Sequence, residues 1–156
     1  MKMDKKIAFQ HIGIGAKNVK ALSEWYCDVL GLEKVYEIPG TDYRSGMPCI
    51  AIGNKDKTVI EFIQLGEFDP MTGKQLPEKD RGNIVGTKRE MTHQGMNHFA
   101  FRVDNFEEFA SRLSDKGVKF INHRKTSKGW TMGMISDPEG NLIELFYSEE
   151  PLPYEI

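Results

Sequence analysis

The 156-residue sequence predicts an α+β fold of two βαβββ modules whose strands form a cupped mixed β-sheet. Three observations predict it. The order strand, helix, strand, strand, strand occurs twice. Glycines close the helices of both halves. The spacings also agree: from His11 to the helix-ending Gly31 is 20 residues, and from His98 to Gly117 is 19. A repeat of this kind marks a duplicated supersecondary unit and decides the fold before any detail does. Module one takes residues 7–65, a connector 66–95, module two 96–148 and a tail 149–156, within a single domain of ordinary size.

In module one, the apolar stretch from Ile7 to Gly15 reads as a strand. Asn18 caps a helix to about Leu30, with Val19, Leu22, Trp25, Tyr26, Val29 and Leu30 at helical spacing and Gly31 at its end. Leu32–Ile38, Met47–Ile52 and Thr58–Leu65 read as three strands separated by Pro39-Gly40 and Gly53-Asn54. The connector is polar, carries Pro70 and Pro77, and shows no clear period. Long connectors inside a compact domain are uncommon and are often functional. In module two, Met96–Val103 is a strand, Asp104 or Asn105 caps a helix bearing Phe106, Phe109, Ala110 and Leu113, and Gly117 ends it. Strands at Val118–His123, Trp130–Ile135 and Asn141–Tyr147 follow, the last two joined by the turn Asp137-Pro138-Glu139-Gly140.

Composition narrows the function classes. Hydrophobic residues are 39% and charged residues 28%, a globular balance rather than a disordered or membrane-spanning one. With 21 Lys and Arg against 23 Asp and Glu, the chain lacks the basic excess that holds a phosphate backbone, so no nucleic acid is expected as partner. No apolar run reaches signal-peptide or transmembrane length, which predicts a cytoplasmic protein without a membrane partner. Cys27 and Cys49 are too few for a disulfide framework and read as free, buried thiols.

The chemistry lies in matched positions. Superposing the halves puts His11 on His98 and Glu61 on Glu144. Each histidine reads as mid-way in the first strand of its half, and each glutamate as mid-way in the last. Successive side chains of a strand alternate between faces. Ile12, Ile14, Ile60 and Phe62 therefore point away from His11 and Glu61, and Phe99, Phe101, Ile143 and Leu145 away from His98 and Glu144. The apolar faces pack on the two helices, and the opposite faces line a concave surface. Two imidazoles and two carboxylates suit a divalent first-row metal with one or two open positions. Taken singly, one strand histidine or one inward glutamate reads as structural; the matched placement of four argues for the metal.

Other residues carry less. His93 reads as solvated in the connector and His123 as a surface or pocket-wall residue at a strand end. Met132, Met134 and Trp130 share one strand face, as core or as pocket lining. Gly13-Ile14-Gly15 lacks the third glycine of a dinucleotide fingerprint.

The segments His11-Ile12-Gly13-Ile14, Val59-Ile60-Glu61-Phe62, Asn97–Val103 and Asp137–Leu145 resemble the vicinal oxygen chelate superfamily. That group includes glyoxalase I, methylmalonyl-CoA epimerase, extradiol dioxygenases, and fosfomycin and bleomycin resistance proteins. The resemblance covers about residues 7–148, and the Asp-Pro-Glu-Gly-Asn…Glu end is its most specific part. It implies paired βαβββ modules around one divalent metal (Ni, Co, Zn, Mn or Fe) held by His11, Glu61, His98 and Glu144. Glutamate at the second position is similar to glyoxalase I, whereas the dioxygenases and fosfomycin proteins generally lack it and the epimerases commonly have glutamine.

The implied activity is that of a metal-dependent lyase or isomerase. It moves a proton between adjacent carbons of a 2-oxoaldehyde–thiol adduct or a similar small substrate, with Glu144 or Glu61 as the base. Arg102 and Arg44 are candidates for holding an anionic substrate group, and a homodimer is expected. The alternatives are an extradiol-type dioxygenase or epimerase of the same superfamily, or a non-catalytic small-molecule-binding protein of the bleomycin-resistance kind. Two departures stand out. Gly15 occupies the position where small bacterial glyoxalases I often carry a glutathione-contacting arginine, and the connector is longer than theirs.

Overall fold

The computed structural model describes residues 10–38, 49–54, 57–65, 98–127 and 129–150; the connector, Arg44 and His93 lie outside them. The order is β1 (Ile12–Ala16), α1 (Val19–Leu30), β2 (Glu33–Ile38), β3 (Cys49–Asn54), β4 (Lys57–Gln64), β5 (Phe99–Arg102), α2 (Phe106–Asp115), β6 (Asn122–Lys125), β7 (Thr131–Ser136) and β8 (Leu142–Tyr147). The chain divides into two compact units, Met1–Ile84 and Val85–Ile156. Their sheets have the same topology, β1-β4-β3-β2 in the first and β5-β8-β7-β6 in the second. The first and last strands of each pair in parallel, and the others are antiparallel. The duplicated βαβββ reading is what the structure contains. Among the described residues, no helix is long and apolar enough to cross a membrane.

In the first unit, the Asn18 side chain accepts from the Ala21 amide at 3.0 Å and starts α1, which would otherwise leave that donor unpaired. Gly31 ends the helix at φ 74°, a left-handed conformation that favours glycine. Val19, Leu22, Tyr26 and Val29 are buried, and α1 packs across the sheet. Tyr26 meets Phe62 of β4 with ring centroids 5.0 Å apart. Ile14, Ile60 and Phe62 are buried as alternation predicts, whereas Gly13 and Gly15 are exposed and Glu61 lies between.

In the second unit, Asn105 is the helix cap, its side chain accepting from the Glu108 amide at 3.1 Å. Phe106 and Leu113 are buried, and Glu107 and Glu108 in the first turn with Arg112 in the last match the helix dipole. The turn into β8 is built around Asp137. Its carboxylate accepts from the amides of Glu139 and Asn141 and from the Asn141 side chain, at 2.7–2.9 Å. That network sets the register in which Ile143 and Leu145 are buried and Glu144 faces the other way.

Two readings need correction. The strand expected over Val118–His123 lies at Asn122–Lys125. The cause is the helix end: the Val118 amide bonds Leu113 O at 2.9 Å, closing α2, and the ladder begins only where the Ile121 amide reaches Met134 O. Phe120 instead turns inward and stacks on Phe106, and His123 stacks on Phe106 at 4.9 Å. The histidines His11 and His98 are not mid-strand: each stands one residue ahead of the regular ladder of β1 or β5.

The stacked rings require a glycine beneath them. A methyl group at Gly133 would lie 2.4 Å from a Phe120 ring carbon, whereas one at Gly13 would meet nothing within 4 Å. Gly133→Ala is expected to destabilise the protein by about 1–3 kcal/mol through overpacking, and Gly13→Ala not to. Thermal unfolding followed by circular dichroism checks this; equal melting temperatures for both variants would refute the steric account.

Candidate functional site

In the first unit, Glu61 lies mid-way along β4 directly opposite Gly13 of β1. His11 stands two residues before Gly13 and therefore on the same face. With no side chain on Gly13 between them, His11 Nε2 approaches Glu61 Oε2 to 3.6 Å. In the second unit, Glu144 lies opposite Ala100 of β5, His98 stands two residues before it, and His98 Nε2 is again 3.6 Å from Glu144 Oε2. A small residue opposite the glutamate opens the same gap in both. The structure thus forms the pairs His11–Glu61 and His98–Glu144, each within its own unit. Among the described residues, no group of three or more His, Cys, Asp or Glu is placed to hold a metal ion.

The donor chemistry of each pair fits a divalent metal. At 3.6 Å the nitrogen and oxygen are too far apart for a hydrogen bond. His11 Nδ1 lies against the Gln10 side-chain oxygen, and His11 Nε2 and His98 Nε2 each face a glutamate oxygen. A neutral imidazole nitrogen and a carboxylate oxygen are both metal-binding atoms, and metal bonds of about 2.0–2.2 Å to each span that separation.

Glu61 is further held by its own sheet. Tyr36 of β2 donates its hydroxyl to Oε2 at 2.8 Å, and Cys49 of β3 donates its thiol to Oε1 at 3.1 Å. Burial, then the hydrogen bond to Glu61 and the charge of Glu61, push the Cys49 thiol up to about 12. Tyr36 and its contact with Glu61 were not legible in the sequence, because they depend on pairing across three strands. Cys49 was legible as a buried free thiol, but its partner was not.

The remaining candidates take diverse positions. Arg102 shares the Glu144 face by strand parity, but its Nη2 donates to the Ser148 carbonyl at 2.8 Å, past the end of β8. With Asp104, Asn105, Glu108 and Arg112 it helps line a cavity of about 360 Å³ beside the start of α2. Met134 stands directly opposite Glu144 and Met132 opposite Phe146, which puts both methionines on the Glu144 face rather than on the Ile143 and Leu145 side. Arg44 lies outside the described residues.

Cys49 is fully buried, and at pH 8 a thiol with a pKa near 12 is ionised in roughly one molecule in ten thousand. Native protein treated with iodoacetamide at pH 8 is expected to keep Cys49 unmodified, and unfolded protein to lose it entirely, as read by peptide mass spectrometry. Alkylation of Cys49 at the same rate in both states would contradict its placement.

A family model for the Glyoxalase/Bleomycin resistance protein/Dioxygenase superfamily matches residues 8–145. Biphenyl-2,3-diol 1,2-dioxygenase 3 of Rhodococcus globerulus is 25% identical over 151 residues, 93% of this chain. The chain spans 65% of that relative's length. Among solved structures, lactoylglutathione lyase from Agrobacterium tumefaciens is similar with a TM-score of 0.61 at 18% identity, covering 93% of this chain and 96% of that one. A fosfomycin resistance protein from Listeria monocytogenes is similar with a TM-score of 0.61 at 14% identity, covering 97% and 99%. At these identities the structural likenesses establish a common fold. The family match, which runs through both βαβββ units and both His–Glu pairs, establishes that the chain belongs to the glyoxalase/bleomycin resistance/dioxygenase superfamily.

Proposed function

We propose that this protein is a divalent-metal-dependent lyase or isomerase of the glyoxalase I type, acting on a 2-oxoaldehyde–thiol adduct or a similar small substrate. The observation that carries the reading is the repeated His–Glu pair, with nitrogen and oxygen 3.6 Å apart in both units. The second glutamate, Glu61, separates this reading from the three-ligand members of the superfamily. His11, Glu61, His98 and Glu144 are the residues that would hold the metal. When bound, it supplies Lewis-acid stabilisation of negative charge developing on a substrate oxygen. Glu144 or Glu61 takes and returns the proton between adjacent carbons, the role of a positioned general base. Arg102 and Arg44 are assigned to an anionic group of the substrate. The working form is a cytoplasmic homodimer.

Gly15 bears on the thiol. A methyl group there would lie 2.8 Å from the Leu65 side chain, so the position has no room for a larger residue unless Leu65 moves. The glutathione-contacting arginine of small bacterial glyoxalases thus has no counterpart at this point. A thiol other than glutathione fits the reading better.

A second reading is supported by the 25% identity to a ring-cleaving dioxygenase over most of the chain. Under it, catechol is cleaved with consumption of O2, and Glu61 is not required as a ligand.

Purified protein is expected to bind Ni, Co, Zn or Mn, to lose turnover of methylglyoxal with one member of a thiol panel on chelation, and to regain it on metal addition. Protein that neither carries nor takes up any of these ions would sink the lyase reading in favour of a binding protein. Oxygen uptake with catechols, without methylglyoxal turnover, would favour the dioxygenase. Glu144→Gln is expected to lower turnover by about 10²- to 10⁴-fold, the usual worth of a general base, with an unchanged circular dichroism spectrum. Unchanged turnover would remove Glu144 from the mechanism.

A further inference from the structure

The two glutamates occupy equivalent places in the two sheets, yet their surroundings differ. Across the first sheet, one row of directly paired residues reads Gly13, Glu61, Ala51, Tyr36. Across the second, the equivalent row reads Ala100, Glu144, Met134, Asn122. Two residues along the third strand of each row stand Cys49, paired with Ile63, and Met132, paired with Phe146. Glu61 therefore receives a hydroxyl on one oxygen and a thiol on the other. Among the described residues, the contact given to the Glu144 carboxylate is with His98. Met132 itself takes the Arg124 Nε donor at 3.2 Å.

The first sheet contains a device that produces this difference. Between Lys34 and Tyr36 the β2–β3 register shifts: Lys34 pairs with Ile52, but Tyr36 pairs with Ala51. In a regular ladder Tyr36 would pair with Ile50, two residues on from Ile52, and would share the face of Ile50 and Ile52. The extra residue at Val35 turns Tyr36 to the opposite face, that of Ala51 and Glu61. Ala51 is fully buried and ends in a single methyl group, so the Tyr36 ring reaches over it to Glu61. The β6–β7 ladder runs without such a shift from Asn122 to Lys125.

We propose that Tyr36 and Cys49 are positioning residues that hold the Glu61 carboxylate in one orientation for metal ligation, and that the bulge at Val35 exists to deliver the Tyr36 hydroxyl. This assignment rests on the reading of Glu61 as a metal ligand. It makes the two halves of the site inequivalent: Glu61 is the anchored carboxylate, and Glu144 has no equivalent pair of side-chain donors among the described residues.

The test is calorimetric titration of metal-free protein with Ni2+ and with Co2+, together with the visible spectrum of the cobalt form; neither readout depends on activity. Tyr36→Phe removes one hydroxyl from a half-exposed side chain and is expected to weaken metal affinity about 10- to 100-fold, the usual cost of losing a partner of a metal ligand. The cobalt spectrum is expected to change with it. Cys49→Ala is expected to weaken binding in the same range, and Cys49→Ser, which retains a donor, to restore most of it. Asn122→Ala, at the place equivalent to Tyr36, is expected to bind as wild type. Melting temperatures close to wild type show that the variants are folded. If wild-type protein binds while Tyr36→Phe and Cys49→Ala bind indistinguishably from it, this assignment fails alone. If wild-type protein takes up neither ion, or Glu61→Gln binds as wild type, the ligand reading beneath it fails as well.

Discussion

Parallel pairing of the first strand with the last in each unit is the constraint from which the rest follows. Parallel neighbours cannot be joined by a tight turn, so the chain must leave the sheet and return, and a helix makes that crossing. In the first unit α1 lies on one face and buries Val19, Leu22 and Tyr26 there. Ile60 and Phe62 of β4 are fully buried. Burying each is worth about 1.5–3 kcal/mol, so a one-residue slip of β4 that exposed both would consume much of an ordinary domain's stability of about 5–15 kcal/mol. The same slip would drive Glu61 into the core. Packing on the helix side thereby dictates which way the glutamate faces, and the parallel neighbour brings a histidine to it on the same side.

This explains what could be read from residues alone. Strand parity is a property of one segment, so the separation of Ile60 and Phe62 from Glu61, and of Ile143 and Leu145 from Glu144, was legible without knowing what pairs with what. Helix limits were legible because Asn18, Gly31 and Asn105 act on backbone groups within a few residues of themselves. The matching of His11 with His98 and of Glu61 with Glu144 was legible from the repeat, whereas the pairing of histidine with glutamate within each unit depends on the parallel ladders. The start of β6 was misplaced because the α2 closure uses the Val118 amide and the Phe106 ring captures Phe120, and hydrophobic patterning reports neither. Tyr36 was missed for a related reason: its facing depends on the Val35 bulge, and strict alternation assigns it to the wrong side.

The two units also differ in an instructive way. What they share lies in the parallel strand pairs β1–β4 and β5–β8, whose register the core enforces. What separates them lies in the other two strands of each sheet, β2 and β3 against β6 and β7. There the ladders are antiparallel, and an inserted residue alters the facing of a side chain without moving the buried positions of the parallel pair. Duplication therefore leaves two kinds of position with different freedom. A change at Glu61 or Glu144 removes a proposed ligand outright. A change at Tyr36 or Cys49 alters how the Glu61 carboxylate is held. The bulge in β2 shows that freedom in use, since it alters one carboxylate's surroundings while Ile60 and Phe62 keep their places beneath it.

Gly15 extends the argument to the substrate. It lies on β1, an edge strand of its sheet, and the Leu65 side chain approaches it from just beyond β4. Glycine there is compatible with the core, because the parity that buries Ile14 and Ala16 turns residue 15 to the Glu61 side. Any side chain at this position would project onto the face that carries His11 and Glu61, and Leu65 occupies the space instead. The first unit thus keeps the elements proposed for metal ligation while presenting an apolar side chain beside them on the same strand pair. Ligation and substrate choice are separable in this fold because they fall on different positions of the same strand pair. Under the proposed function, a change at the Leu65–Gly15 contact alters substrate choice without disturbing the His–Glu geometry beside it.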